Sequence, residues 1–545
     1  MEYTVWQALV DVNLTADFGQ GQIALVPGLA TSWTVSPDGS TYTFNLRQGI
    51  SFSNGDPFNS YQIWTQMYGF YYLSGNSSTW LQGAFNLFNM SNVVFGPSTI
   101  ATITQSGLIN PTSQVVAMMS NNSWPMYVNG PNQIVFHLRG PYLYLPQSIV
   151  AAMGNMLDMQ YVLKNGGFGT PSGINQYFNT NPIPGTGPYV VTTVVTGSYI
   201  EFTQNPTYWG RNLTAAQIAA QPWFDPGHAK TVIVNGKTDD VARYVDLTTG
   251  ASQISMIEAT DWHSVESNPS QYSYYSLLNG APLFAGMALN THLYPTNITL
   301  VRQAIVHAIN YSDISQKVFF GNSTEFVGPG APIYKDFYNL DNSTPYQFNL
   351  TLAKADIAEA NLSNIPALDF HVIAGCQYCI NTAQVIQGDL SQIGITVNID
   401  VMNGGQYYSG FGPVSIELQN PALLGQLSLM GVGDFAPATL APPEYWFYFV
   451  GNGSFSNQAI YFNPTVQKCL TAFSESNNIS FIQSLCRAAQ DQINSDAPYA
   501  WLGLLHLWYA DGSLVWNNHV VKSFYADPLW TGQDTAPLFN TVTFN

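Results

Sequence analysis

Cys376-Gln-Tyr-Cys379 is the spacing in this 545-residue chain that most directly suggests chemistry, since two thiols three residues apart can form a dithiol/disulfide couple. The pair lies between a strand-like LDFHVIAG and a helical run from Ile380, where a redox-active pair would sit. The other two cysteines, Cys469 and Cys486, fall in helical stretches joined by SESNNIS, a placement that suits a staple. Two structural disulfides, Cys376 with Cys379 and Cys469 with Cys486, are the expected state; a redox couple and free thiols are the alternatives. A zinc site is not expected, because no second Cys-x-x-Cys or nearby His pair completes four ligands. No G-x-S-x-G, H-E-x-x-H or P-loop pattern occurs and the eight His are scattered, so the sequence predicts no catalytic residue, no metal site and no cofactor. The paired carboxylates of a glycosidase, which carry no local signature, remain as the enzymatic alternative.

The elements that would position a site are legible from turns and periodicity. In WTVSPDGSTYTFNLRQGISFSNGDPF, residues 33–58, Pro37-Asp38-Gly39 reverses the chain, and Tyr42, Phe44 and Leu46 alternate with Thr43, Asn45 and Arg47. That predicts a hairpin with one buried and one wet face. Asn54-Gly55 turns the chain again, and Asn59 is placed to cap a helix with Ile63, Met67, Phe70 and Tyr71 on one side. A second hairpin is expected in GTGPYVVTTVVTGSYIEFTQNPTYWG, residues 185–210. Between them, residues 60–184 mix helical patterns with Gly, Asn and Pro loops, as an inserted domain would. Beyond Leu283, LFAGMALN reads as a strand, and VRQAIVHAIN as a helix with Val301, Ile305, Ala308 and Ile309 on one stripe. INTAQVIQGDLSQIGITVNIDV predicts a helix stopped at Gly394, then a strand, which makes an α/β unit. After the helix around CRAAQDQINSDAPYAWL, the apolar LGLLHLWYA predicts a buried strand returning to the first sheet. Two chain crossings between lobes imply a hinge.

Composition narrows the class. The length calls for two or three domains, and 46% hydrophobic residues with no run of about 18 apolar ones predict a globular chain without a membrane span. Only 8% of residues are charged, with a net charge of -18 and no basic cluster, which argues against nucleic acid as a partner. Asn-x-Ser/Thr sequons recur from Asn13 to Asn478, about twice as many as chance would give, and suggest N-glycosylation on an external face. The opening MEYTVWQALV has no signal-peptide pattern, so an exported protein would carry its signal or membrane anchor outside this sequence. A surface poor in ions suits an organism living in acid, an archaeon among them, because exposed carboxylates with pKa of about 4 lose their charge there.

In this order, LVPGLATSWTVSPDGSTYTFNLRQGISFSNGDPFNSYQIW, GTGPYVVTTVVTGSYIEFTQNPTYWG, NTHLYPTNITLVRQAIVHAINYSDI, AQVIQGDLSQIGITVNIDV and RAAQDQINSDAPYAWL resemble family 5 extracellular solute-binding proteins, the dipeptide- and oligopeptide-binding subunits of ABC importers. The resemblance runs over nearly the whole chain. It implies an α/β fold of the large two-lobed periplasmic-binding-protein type. Domain I would comprise 1–51, 185–282 and 506–545, domain II the insertion 52–184, and domain III, the opposite lobe, 283–505. It further implies a non-enzymatic, monomeric protein on the outer face of the cytoplasmic membrane that serves a separate permease and ATPase. The chain departs from the family in starting inside its N-terminal strand region and in having Asn59-Ser60-Tyr61-Gln62 in place of an acidic helix start.

The resemblance also places the ligand. The family's Asp-rich turn before a ligand-facing loop corresponds to LMGVGDFAPATLAPPEYW, residues 429–446, which nominates Asp434 to receive a peptide's α-ammonium group. Gly431 and Gly433 would let the backbone approach the ligand or merely shape a turn, and Phe435 and Asn290 are further ligand-binding candidates. An Asx-turn is the plainer role for Asp434. For an oligosaccharide, which some members bind, Trp446, Tyr407 and Tyr408 would supply flat faces.

Overall fold

The computed structural model describes residues 2–14, 24–74, 87–151, 155–170, 173–237, 239–257, 261–274, 284–330, 332, 334–340, 346–408, 425–430, 441–454, 456–505, 513–525 and 537–545. The first hairpin forms as its residues dictate. Strand β1 (Ala30–Val35) pairs antiparallel with β2 (Thr41–Leu46), with Trp33 opposite Phe44. At the turn, Gly39 takes φ 76°, and its N–H donates to Ser36 O at 2.9 Å. The Asp38 carboxylate accepts from the Ser36 and Ser40 hydroxyls and from Ser40 N–H, and these bonds hold its pKa down at about 2. Tyr42, Phe44 and Leu46 point into the core, as the alternation requires.

Helix α1 (Ser60–Ser74) follows, with the Asn59 side chain accepting from Gln62 N–H at 3.1 Å as its cap. Ile63 and Met67 are fully buried, as are Trp64 and Tyr68, while Phe70 and Tyr71 are only half-buried. The burial runs around the helix because β3 (Met126–Val128) and β4 (Gln133–His137) join the hairpin in a sheet of order β1-β2-β4-β3, while helix α2 (Met159–Lys164) and its approach cover the other side. The contacts there are neutral: Gln62 Oε1 accepts from Met159 N–H at 2.7 Å, and Gln66 bonds Leu157 N–H and Asn155 O, both at 2.8 Å. The sheet draws β1 and β2 from residues 1–51 and β3 and β4 from 52–184, so the two sequence segments share one apolar core.

The second hairpin comprises β5 (Tyr189–Val195) and β6 (Tyr199–Gln204), extended by β7 (Thr231–Asn235). It is tied to the first through Arg47, whose guanidinium lies 4.6 Å from the Trp209 ring centroid. Burial lowers the Arg47 pKa, and the aromatic face together with Gly28 O, at 3.3 Å from Nη2, compensates the buried cation.

The chain then forms β8 (Ile254–Ile257) and β9 (Tyr272–Tyr274) before entering the larger α/β half. Among its strands and helices, in chain order, are β10 (Phe284–Leu289), α3 (Thr299–Ala308), β11 (Ser323–Thr324), β12 (Leu368–Ile373), α4 (Gln377–Ser391), β13 (Val397–Met402), α5 (Gly404–Tyr408), β14 (Leu427–Met430), α6 (Pro442–Val450), α7 (Pro464–Glu475), α8 (Ile479–Asp496), β15 (Tyr499–Leu505) and β16 (Ser513–Asn517), with two further helices, Tyr311–Lys317 and Leu350–Ala360, between β10 and β12. Six of the strands make a sheet of order β11-β15-β10-β14-β12-β13, while β16 pairs between β8 and β9. The strands β10 and β15 are buried at every residue, because helices cover both faces. The strand expected at LGLLHLWYA starts earlier, at Tyr499, directly after Pro498 ends the helical run, and it lies in this six-stranded sheet and not in the first one. Ile257, Tyr272 and Val515 of the small sheet pack into the same apolar core, since strands this short cannot bury a face alone, and Leu247 and Trp262 from helical segments join them. Both disulfides form as expected, Cys376 with Cys379 and Cys469 with Cys486.

Candidate functional site

One end of the six-stranded sheet gathers the features a ligand site needs. The strands β12, β13 and β14 run parallel to one another, and β10 runs antiparallel to both β14 and β15. The carboxyl ends of β12, β13, β14 and β15 therefore lie at the same end of the sheet as the start of β10. From that end β12 feeds the Cys376–Cys379 turn, β13 feeds α5, and β14 leads toward residues 431–440. Both connections to the small β8-β16-β9 sheet, from Tyr274 to Phe284 and from Leu505 to Ser513, also start or finish there. In open α/β sheets the crevice outside the carboxyl strand ends is where ligands bind.

Tyr407 and Tyr408 sit at this end on α5. Asn403 anchors the short helix, its Oδ1 accepting from Gln406 N–H at 3.0 Å. Tyr407 is buried, its hydroxyl donating to Leu429 O on β14, and its ring meets Tyr408 edge to face with centroids 5.3 Å apart. The Tyr407 hydroxyl also lies 3.5 Å from Gln458 Oε1, and Gln458 Nε2 is a buried donor with no hydrogen-bond partner among the described residues. Nothing in the sequence marks Gln458; only the fold brings it under the strand end.

Two sequence candidates stand elsewhere. Trp446 is 0% exposed on α6, with Nε1 donating to Phe337 O at 3.2 Å, so it offers no face for stacking. The apolar pattern of EYWFYFV cannot tell a cleft wall from a helix packed on both sides. Asn290 follows β10 and therefore lies at the opposite end of the sheet, where its Nδ2 donates to Gly425 O and its Oδ1 accepts from His292 N–H, both at 3.0 Å. That is an Asx-turn that ends a strand. Gly431, Gly433, Asp434 and Phe435 lie outside the described residues.

The same distal end holds a cavity of about 450 Å³ lined by Thr291, His292, Arg302, Tyr461 and Asp496, among others. Its buried guanidinium is engaged: Arg302 donates to Asp496 O and Thr296 O, each at 2.8 Å, and to Thr299 Oγ1 at 3.0 Å. Burial lowers the Arg302 pKa, and the carbonyl at the end of α8 is a fitting partner for a cation. The cavity is thus framed by a helix-capping arginine, away from the crossings. Among the described residues no group of three or more His, Cys, Asp or Glu could hold a metal ion.

A residue that sequence reasoning missed joins the two halves. Tyr144 packs against both large apolar cores, its ring centroid 6.2 Å from Phe337 and 6.0 Å from Phe473. Burial, and then the nearby Asp336 charge, raise its pKa. Beside it, Asn477 Nδ2 reaches Pro37 O at 3.5 Å. In GPYLYLP nothing distinguishes Tyr144 from any other aromatic, because its partners lie far along the chain.

Comparison with known proteins agrees with this architecture. Residues 24–453 match the family described as bacterial extracellular solute-binding proteins, family 5 middle. The chain is 25% identical over 398 residues to di/tripeptide-binding protein 2 of Pseudomonas aeruginosa, an alignment covering 72% of this chain and 66% of that protein, so the chain spans about two thirds of this relative's length. It is 25% identical over 518 residues to probable di/tripeptide-binding protein 5 of the same species, covering 92% and 86%. Among solved structures, a putative peptide binding protein AppA from Clostridium difficile superposes with a TM-score of 0.73 at 16% identity, over 100% of this chain and 95% of that one. The periplasmic binding protein DppA from Helicobacter pylori, in complex with the peptide STSA, superposes with a TM-score of 0.66 at 20% identity, over 99% and 92%.

Proposed function

The chain belongs to the family 5 bacterial extracellular solute-binding proteins, and from that premise we propose that it captures peptides between two lobes and delivers them to the permease and ATPase of an ABC importer. The first lobe contains the four-stranded sheet, the second hairpin and the small β8-β16-β9 sheet, which packs on the core of the second lobe; the second lobe is built on the six-stranded sheet, and the crossings near residues 282 and 505 that join those two sheets are the proposed hinge. The observation that carries the reading is the convergence at one sheet end of both crossings, the α5 tyrosines and the strand that leads to residues 431–440. A ligand held there touches both lobes and so stabilises the closed state more than the open one. Within that stretch Asp434 is the residue proposed to receive the α-ammonium group, a recognition that every free peptide satisfies whatever its side chains.

Peptides are preferred over oligosaccharides for two reasons. Two relatives at 25% identity are named for di- and tripeptides, and Trp446 and Tyr407, which a sugar would need as stacking faces, are buried. The described residues include no helix long and apolar enough to cross a membrane, and the proposed place of work is the outer face of the cytoplasmic membrane. A thermal-shift screen of dipeptides, tripeptides, longer peptides and oligosaccharides tests the function, because a ligand bound only by the folded state raises Tm by mass action. Peptides should raise Tm and sugars should not; a shift with sugars alone would overturn the reading.

A further inference from the structure

The peptide capture proposed above assigns no role to the Cys376–Cys379 pair, although its turn lies at the same end of the sheet. We propose that this disulfide is a thiol-exchange site, with Cys376 the sulfur that an external dithiol attacks and Cys379 the buried partner it releases. The two disulfides differ sharply in surroundings. Cys376 is half-buried on a turn whose neighbours Ala374, Gly375 and Gln377 are exposed, and Cys379 is 1% exposed one helical turn further on. Both sulfurs of the other pair belong to residues that are 0% exposed, enclosed between α7 and α8. A reagent in solution therefore has a path to Cys376 and none to Cys469 or Cys486.

The local geometry also favours charge on the sulfur that must leave last. Cys376 caps the fifteen-residue helix α4, and the Cys379 N–H donates to Cys376 Sγ at 3.3 Å. A helix N-terminus with an N–H aimed at sulfur stabilises a thiolate and so makes it a better leaving group. Three residues beyond Cys379 and on the same helical face, the buried Thr382 Oγ1 has no hydrogen-bond partner among the described residues, which leaves a hydroxyl available to the sulfur that reduction frees.

The exchange balances with a dithiol as reductant. One reagent thiolate attacks Cys376 Sγ, a new S–S bond forms, and the Cys376–Cys379 bond breaks, with its electron pair leaving on Cys379 sulfur, which takes a proton from water. The second reagent thiol, as thiolate, attacks the reagent's own sulfur in the mixed disulfide and expels Cys376 as thiolate. The protein disulfide is reduced and the reagent becomes a cyclic disulfide.

Native protein treated with dithiothreitol without denaturant, quenched at intervals with N-ethylmaleimide and mapped by peptide mass, tests the proposal. Cys376 and Cys379 should be labelled at least about tenfold faster than Cys469 and Cys486 while the circular dichroism spectrum stays native. Equal rates for the two pairs, earlier reduction of Cys469–Cys486, or resistance of both until the fold is lost would overturn it. The single variants test the assignment of roles: the thiol left at Cys376 in Cys379→Ser should be labelled at least about tenfold faster than the thiol left at Cys379 in Cys376→Ser. Equal labelling of the two would refute Cys376 as the attacked sulfur, and the wild-type time course remains decisive if either variant fails to fold.

Discussion

At the scale of single residues, Asp158 shows how a chain with few charges handles a buried one. It caps α2, with Oδ1 accepting from Tyr161 N–H at 3.0 Å and Oδ2 accepting from Asn54 Nδ2 at 2.7 Å, and the same amide donates to Asp56 Oδ2 at 3.2 Å. Burial, opposed by those two bonds and reinforced by the Asp56 charge, pushes its pKa up to about 6. The folded state thus holds a proton that the unfolded carboxyl, at about 3.9, has lost, so the contribution to stability grows as pH falls from about 6 to about 4 and is constant below. Burial raises the Asp356 and Asp389 carboxyls as well, in the same sense. Thermal melts from pH 7 to pH 3 should show Tm climbing over that window, and Asp158→Asn, which keeps a capping oxygen, should make the climb shallower by the equivalent of a few kcal/mol or less; an unchanged slope would contradict this account. Residue roles were the least legible in the sequence. Asn59 as a cap could be read from its neighbours, whereas Asn290 and Trp446 could not be separated from ligand contacts, because an Asx-turn and a core indole use the same residue types as a binding site.

Among the elements, the α7–α8 hairpin has the clearest consequence. The Cys469–Cys486 bond closes a loop of 17 residues and fixes two helices whose connecting segment, through Asn477, reaches the first lobe. The Cys469→Ala/Cys486→Ala double variant should lose about 3 kcal/mol in denaturant unfolding, and a loss well under 1 kcal/mol would show that helix packing alone holds the hairpin. Hairpins, helix starts and the β12-α4-β13 unit could be read from turn residues and periodicity, since each depends on neighbours in the chain. The β15 strand could not be placed in its sheet, because a run buried on both faces carries no alternation to show which sheet it joins. The union of β1-β2 with β3-β4 was hidden for a related reason: pairing between segments about 90 residues apart leaves no local mark.

For the whole molecule, closure is the property that matters, and Tyr144 is the described aromatic that touches both large cores. Aromatic pairs of this kind contribute about 0.5–1.5 kcal/mol each, so Tyr144→Ala should shift the population toward the open state and weaken peptide binding by about three- to tenfold. Small-angle scattering of the unliganded variant should show a larger radius of gyration than the parent, and unchanged affinity and radius would remove Tyr144 from closure. The two-lobed class was legible in the sequence because its motifs, such as Arg47 and Trp209, are the residues that hold the elements together. The ligand was less so, since its nominated carboxylate, Asp434, is a single acidic residue with no local signature of its own. The most direct test of peptide capture is calorimetric titration with a free tripeptide and with its N-acetylated form, on the parent and on Asp434→Asn. The account predicts one-to-one binding of the free tripeptide, weakened at least about tenfold by acetylation and by the substitution alike. Equal affinity for both forms in both proteins, or no binding of any peptide beside clear binding of an oligosaccharide, would contradict it.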